Sequence, residues 1–373
     1  MSAEGHAALG TARRVVLKVG SSSLTKPGKR GATGLDADRV ALLADVIAEA
    51  VHAGREVVLV SSGAIAAGLE PLALRRRPRD LATQQAAASI GQLLLVEAYA
   101  AAFARHGLRV GQVLLTADDL QRRTHYRNAQ RSLDRLLGLG VVPIVNENDA
   151  VATDEIRFGD NDRLAALTAH LIGAQGMVLL SDVDGVYDAN PTKGPANLLS
   201  VLDDESALLA VDTRGAGTTG VGTGGMQTKL DSARIASGAG VSVIITSPEH
   251  ARRAMAGERV GTFVPARGKR PSQRLFWLRW ASEPRGQIVI DDGAVRALVH
   301  RRKSLLPAGI TGLTGSFDVG DAVEIVGHDG RAVARGLVAY SSDELPDLIG
   351  KQTQDLDADH QREVMHRDDI AVL

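Results

Sequence analysis

Six short apolar runs, rich in β-branched residues, set the frame for this chain. They are RVVLKVG (Arg14 to Gly20), REVVLVSSG (Arg55 to Gly63), VGQVLLT (Val110 to Thr116), VVPIVN (Val141 to Asn146), MVLLSD (Met177 to Asp182) and VSVIITS (Val241 to Ser247). Near-continuous apolar runs of this length suit strands buried on both faces. Segments with helical spacing lie between them. In LDADRVALLADVIAEAVHAG, Val40, Leu43, Ile47 and Val51 form one stripe, with Asp36 placed to cap and Gly54 just past the end. TQQAAASIGQLLLVEAYAAAFARHG and DRLAALTAHLIGA read the same way. The alternation predicts an α/β fold, a mostly parallel open sheet sandwiched by helices.

Each run ends in a polar or glycine cluster: GSSS, SSGA, TADD, NEND, SDVDG, TSPE. In open α/β sheets ligands bind outside the carboxyl ends of the strands, so the chemistry is expected along that edge. Its densest part is NENDAVATDEIRFGDNDRLAA, where nine carboxylate or amide side chains fall between Asn146 and Asp162, with Arg157 as the lone cation. Asp and Asn also favour plain turns, so a metal site, a substrate loop and a solvated acidic loop all remain open on these residues alone. An EF-hand run is absent.

Composition narrows the classes. The chain has 373 residues, room for two domains. A net charge of −1 gives no electrostatic case for a nucleic-acid or membrane partner, and the lack of cysteine excludes disulfides, thiolate metal sites and cysteine nucleophiles. The start, MSAEGHAALGTARR, lacks the roughly 7–15-residue apolar core of a signal peptide. No uninterrupted apolar segment reaches the roughly 18 residues of a membrane span. A cytoplasmic protein is the expectation.

Four further motifs point to phosphate. In VVLKVGSSSL, Lys18 precedes Val19, Gly20 and three serines whose hydroxyl and N–H groups can donate to an anion. Alone, Lys18 also fits an ordinary strand-edge lysine. In VSSGAIAAGLE, Ser61, Ser62 and Gly63 open a helix, which suits an anion or simply an N-cap. GTGGMQTKLDSARIASGAG runs from the loop Gly222-Thr223-Gly224-Gly225 into a helix with Lys229 about one turn in, the parts of a polyphosphate clamp. A glycine linker is the plainer alternative. In LLSDVDGVYDANP, Ser181 and Asp182 follow a buried strand, as nucleotide contacts or as a polar turn.

Taken in order, VVLKVGSSSL, VSSGAIAAG, VVPIVNENDAV, FGDNDRLAAL, LLSDVDGVY and GTGGMQTK resemble the amino acid kinase family, within it the members that phosphorylate L-glutamate. The resemblance implies ATP-dependent phosphorylation of the γ-carboxylate of L-glutamate, the first step of proline biosynthesis. It implies that Lys18 and Lys229 contact the ATP phosphates and that Asp162 orients the two lysines. Ser62, Asp149 and Asn161 would hold glutamate, with Asp149 on its ammonium. Ser181, Asp182 and the loop Thr223, Gly224, Gly225, Met226, Gln227, Thr228 and Lys229 would hold the nucleotide. Mg²⁺ would ride on the nucleotide, with no dedicated metal site. Proline is implied as a feedback inhibitor, with TADDLQRRTHYRNAQ (Thr116 to Gln130) as one part of its site, and a homo-oligomer as the assembly. Aspartate and acetylglutamate are the alternative acceptors.

The texture changes near residue 265, where VPARGKRPSQRLFWLRWASEPRG carries both tryptophans. The expected organisation is a kinase domain over 1–265, a linker over 266–282 and a small β-barrel-like domain over 283–365. SLLPAGITGLTGSFDVGDAVEIV resembles a PUA domain. PUA domains elsewhere bind RNA, so an RNA-binding protein with a vestigial kinase fold is the alternative class, and it calls for a basic face. Glu283 to Glu363 holds nine Lys/Arg against fourteen Asp/Glu, a net of about −5, which argues against a nucleic-acid partner and for a structural or regulatory accessory.

Overall fold

The structure is a computed structural model; it describes residues 2–26, 33–151, 161–189, 191, 194–203, 208, 225–267, 270–357 and 360–373. The chain divides into two compact units, Met1–Leu120 with Thr124–Arg270, and Gln121–Arg123 with Pro271–Leu373.

In the first unit the strands are β1 (Arg14–Val19), β2 (Thr25–Lys26), β3 (Thr33–Leu35), β4 (Glu56–Ser61), β5 (Arg109–Leu115), β6 (Val141–Glu147), β7 (Gly176–Leu180), β8 (Ser242–Thr246) and β9 (Thr262–Val264). Seven form one sheet in the order β5-β6-β4-β1-β7-β8-β9, and β2 and β3 pair apart as a hairpin. All neighbours in the large sheet are parallel except β9, which runs antiparallel to β8. The six apolar runs are the six parallel strands. β9 escapes the sequence reading because three residues are too few to show a period.

The helices lying wholly or mostly in this unit include α1 (Ser2–Gly10), α2 (Ala37–His52), α3 (Ala64–Leu69), α4 (Leu81–Ala104), α5 (Ala117–Gln121), α6 (Arg123–Gly138), α7 (Asn161–Leu171) and α8 (Met226–Gly238). Asp36 caps α2 as its position suggests, its Oδ1 accepting from the N–H groups of Asp38 at 3.1 Å and Arg39 at 3.4 Å. The helix closes before Gly54, which takes φ +83°. α4 is long and apolar enough to cross a membrane. Here Leu95, Tyr99 and Phe103 on it are fully buried in the core shared with α2 and the sheet.

That core decides which way Lys18 points. Val15, Leu17 and Val19 of β1 join it beside Val40, Leu43 and Ile47 of α2. Side chains alternate across a strand, so Val16 and Lys18 turn to the opposite face. α7 packs against β1, and that face receives it.

In the second unit, β10 (Gly286–Ile290), β11 (Ile310–Gly315), β12 (Ala322–Val326), β13 (Ala332–Leu337) and β14 (Ile370–Val372) form a sheet ordered β11-β10-β12-β13-β14. Its own core gathers Ile288, Ile290, Val323, Ile325, Val364 and Met365. The stretch 266–282, expected as a linker, carries regular structure: Gln273–Phe276 is α-helical and Trp277–Ala281 a π-turn. Phe276, Trp277 and Leu278 are buried, and apolar side chains of that size are not left in a solvated tether.

Candidate active site

The carboxyl ends of β1, β4, β6 and β7 lie side by side in the sheet, and four of the sequence-derived clusters leave from them. Parallel register sets their levels: Lys18 pairs with Val60 and Leu179, and Val19 with Ser61. Gly20 and Ser62 therefore leave the sheet together, with the Ser62 N–H donating to the Val19 carbonyl at 3.1 Å. Gly63 starts α3 at φ +109°, a conformation that glycine adopts without strain.

Three charges meet beneath this edge. Lys18 is 3% exposed, Lys229 7% and Asp162 0%. One carboxylate oxygen of Asp162 pairs with the Lys18 ammonium, and the other accepts from Lys229 Nζ at 3.1 Å. Thr228 Oγ1 lies 2.8 Å from the Gly225 carbonyl and 3.2 Å from Asp162, its single proton shared between the two acceptors. Burial alone would raise the Asp162 pKa. Attraction to Lys18 and Lys229 outweighs it and holds the carboxyl below the usual carboxylate range, so Asp162 is ionised at neutral pH.

Asp162 reaches this position because α7 begins at Asn161, which puts both residues in the first turn. Asn161 points its amide elsewhere: Nδ2 donates to Ser62 Oγ at 3.0 Å, and Oδ1 accepts from the Glu147 N–H at 3.2 Å. Two of the three residues expected to hold glutamate are thus hydrogen-bonded to each other. The third, Asp149, is partly buried in the turn that follows β6.

Among the residues expected to hold the nucleotide, Gly225 has extended backbone and precedes α8, with Met226, Gln227, Thr228 and Lys229 in the first turn. Thr223 and Gly224 lie outside the described residues. Ser181 is buried at the end of β7, its N–H donating to the Thr246 carbonyl at 2.8 Å. Asp182 is exposed and accepts from Ser22 Oγ at 2.9 Å. Among the described residues no three His, Asp or Glu side chains converge on one point.

Three polar contacts were not foreseen from the motifs. Ser22 reaches Asp182, Tyr99 meets Ser61 at 3.0 Å, and Gln92 meets Asn146 at 2.7 Å. Burial raises the Tyr99 phenol above its usual range, so it stays protonated. Gln92 and Tyr99 do leave a trace in the sequence. They are polar groups on the inward stripe of an otherwise alanine- and leucine-rich helix.

A buried carboxylate between two lysines at the carboxyl edge of a parallel sheet suits a polyphosphate ligand. The amino acid kinase family model matches residues 13–247, and the PUA domain model residues 286–359. The chain belongs to the amino acid kinase family. It is 60% identical to a glutamate 5-kinase of Streptomyces coelicolor over 98% of both chains. Glutamate 5-kinases of Streptomyces avermitilis and Frankia casuarinae are each 58% identical over 97% of both chains. Within the family, the chain belongs with the glutamate 5-kinases.

Proposed function

We propose that the chain transfers the γ-phosphoryl group of ATP to the γ-carboxylate of L-glutamate, giving L-glutamyl 5-phosphate and ADP, the first step of proline biosynthesis. The observation that carries this reading is the buried Lys18–Asp162–Lys229 trio, one residue from the Asn161–Ser62 pair. A γ-carboxylate with a pKa of about 4.3 is already ionised at neutral pH, so the acceptor needs no general base. The obstacle is repulsion between a carboxylate and a polyphosphate. Positioning and fixed positive charge overcome it, as in other phosphoryl transfers.

Lys229 acts on the transferring phosphoryl group and Lys18 on the neighbouring phosphates. Asp162 keeps the two ammonium groups together when the site holds no nucleotide. Thr223 to Thr228, with Ser181 and Asp182, take the rest of ATP. Ser62 and Asn161 offer hydrogen-bond donors to a carboxylate of glutamate, and Asp149 takes the α-ammonium group. Both oxygens of Asp162 face ammonium groups, so this carboxylate is committed to the lysines, and Mg²⁺ fits as an ion carried on the phosphates, where it neutralises their charge. The same reading takes proline as a feedback inhibitor acting partly through Thr116 to Gln130, a homo-oligomer as the assembly and the cytoplasm as the compartment.

The test is ADP release with Mg·ATP across candidate acceptors, with hydroxylamine trapping of the acyl phosphate. Release should depend on L-glutamate. Turnover of aspartate or acetylglutamate with none of glutamate would overturn the assignment.

A further inference from the structure

Gln92 lies on α4, outside every motif used so far, and is 8% exposed. Its Oε1 accepts from Asn146 Nδ2 at 2.7 Å, and Asn146 Oδ1 accepts from the Glu147 N–H at 2.9 Å. The same N–H reaches Asn161 Oδ1 at 3.2 Å, and Asn161 Nδ2 continues to Ser62 Oγ at 3.0 Å. A backbone N–H only donates. It therefore fixes both asparagines with their oxygens towards Glu147 and their nitrogens away.

Asn146's nitrogen in turn requires the oxygen of Gln92. Ser62 Oγ accepts from Asn161, so its own proton is left to donate. The protons that this run of hydrogen bonds leaves to a ligand, that of Ser62 Oγ and the second of Asn161 Nδ2, suit a carboxylate. Gln92 Nε2 finds no hydrogen-bond partner among the described residues. Buried donors of that kind are costly and rare. Leucine, the residue at positions 93 to 95 of the same helix, would avoid the cost if packing were the only task.

We propose that Gln92 is a positioning residue for glutamate: by holding Asn146 it fixes the Glu147 N–H, and through it the donor face of Asn161 and Ser62. The inference rests on the glutamate reading above.

Gln92→Met keeps the side-chain length and removes the acceptor. It should raise the glutamate KM about tenfold, a typical worth of a buried hydrogen bond, with kcat and the ATP KM within about twofold of wild type. In the double variant with Asn161→Ala the Gln92→Met penalty should vanish, because the group it acts through is gone. If Gln92→Met does not fold, Gln92→Ala goes through the same cycle. An unchanged glutamate KM, equal rises in both KM values, or fully additive penalties would each overturn the proposal. Failure of the glutamate reading itself is seen separately, as wild-type enzyme without glutamate-dependent ADP release.

Discussion

Asp162 is one buried carboxylate shared by two ammonium groups, and its neutralisation leaves like charges facing each other. Asp162→Asn should therefore misplace both lysines rather than merely weaken one contact. With the cationic groups displaced, kcat should fall about 100-fold or more, on the scale of losing one preorganised electrostatic partner. Saturating ATP and glutamate give the measurement, and a loss below about tenfold would remove Asp162 from this role. Asp149 makes a contrasting prediction. Asp149→Ala should raise the glutamate KM roughly ten- to hundredfold, the worth of a charge-assisted hydrogen bond, with the ATP KM unchanged. An unchanged glutamate KM would show that the ammonium is held elsewhere.

Among the elements, the crossing of α3 and α4 is the tightest contact near the site. A Cβ on Gly91 would lie 1.7 Å from the Ala64 carbonyl oxygen, and one on Gly68 would lie 1.9 Å from that of Ala87. Backbone meets backbone there, so neither side can yield. Gly91→Ala should cost about 3 kcal/mol or more, lowering Tm by roughly 6–12 °C in a unit of this size. A shift under about 2 °C would show that the helices slide freely.

α7 carries a second device. Burial first, and then Arg270, lowers the His170 pKa from 6.5 to about 3. Between these values the unfolded chain binds a proton that the folded chain refuses, so stability is full above 6.5 and falls on acidification. His170→Gln should flatten the Tm–pH curve between about 5, above ordinary carboxylate titration, and 6.5; an unaltered slope would refute it.

These elements also show what a sequence can carry. α2 was readable with its cap because Asp36, the apolar stripe and Gly54 all act locally. The union of Lys18 with Asp162 was visible only through resemblance, since 144 residues separate them and no local pattern encodes the meeting. The Gln92 contact was missed for the same reason, since it depends on a partner that sequence spacing does not reveal. β9 and the turn over 273–281 were missed because each is too short to show a period.

At the scale of the whole molecule, two units with separate cores share one nearly neutral chain. The second is acidic between Glu283 and Glu363 despite the cluster His300-Arg301-Arg302-Lys303. RNA affinity of the full chain should be weak at about 150 mM salt, without the steep salt slope of a phosphate-binding surface. Filter binding across a salt series checks this, and a steep slope would make the second unit an RNA reader.

The start of α7 has a wider consequence. Asn161 reaches Ser62 and Asp162 holds Lys18 and Lys229, and they are consecutive residues. Their α-carbons are held about 3.8 Å apart by one planar peptide. The Ser62 side and the lysine side of the cleft are thus anchored on adjacent residues of one helix turn, so a shift of that turn is passed to both. A substitution that displaces this turn should therefore disturb both sides of the cleft at once, raising the KM for glutamate and for ATP together.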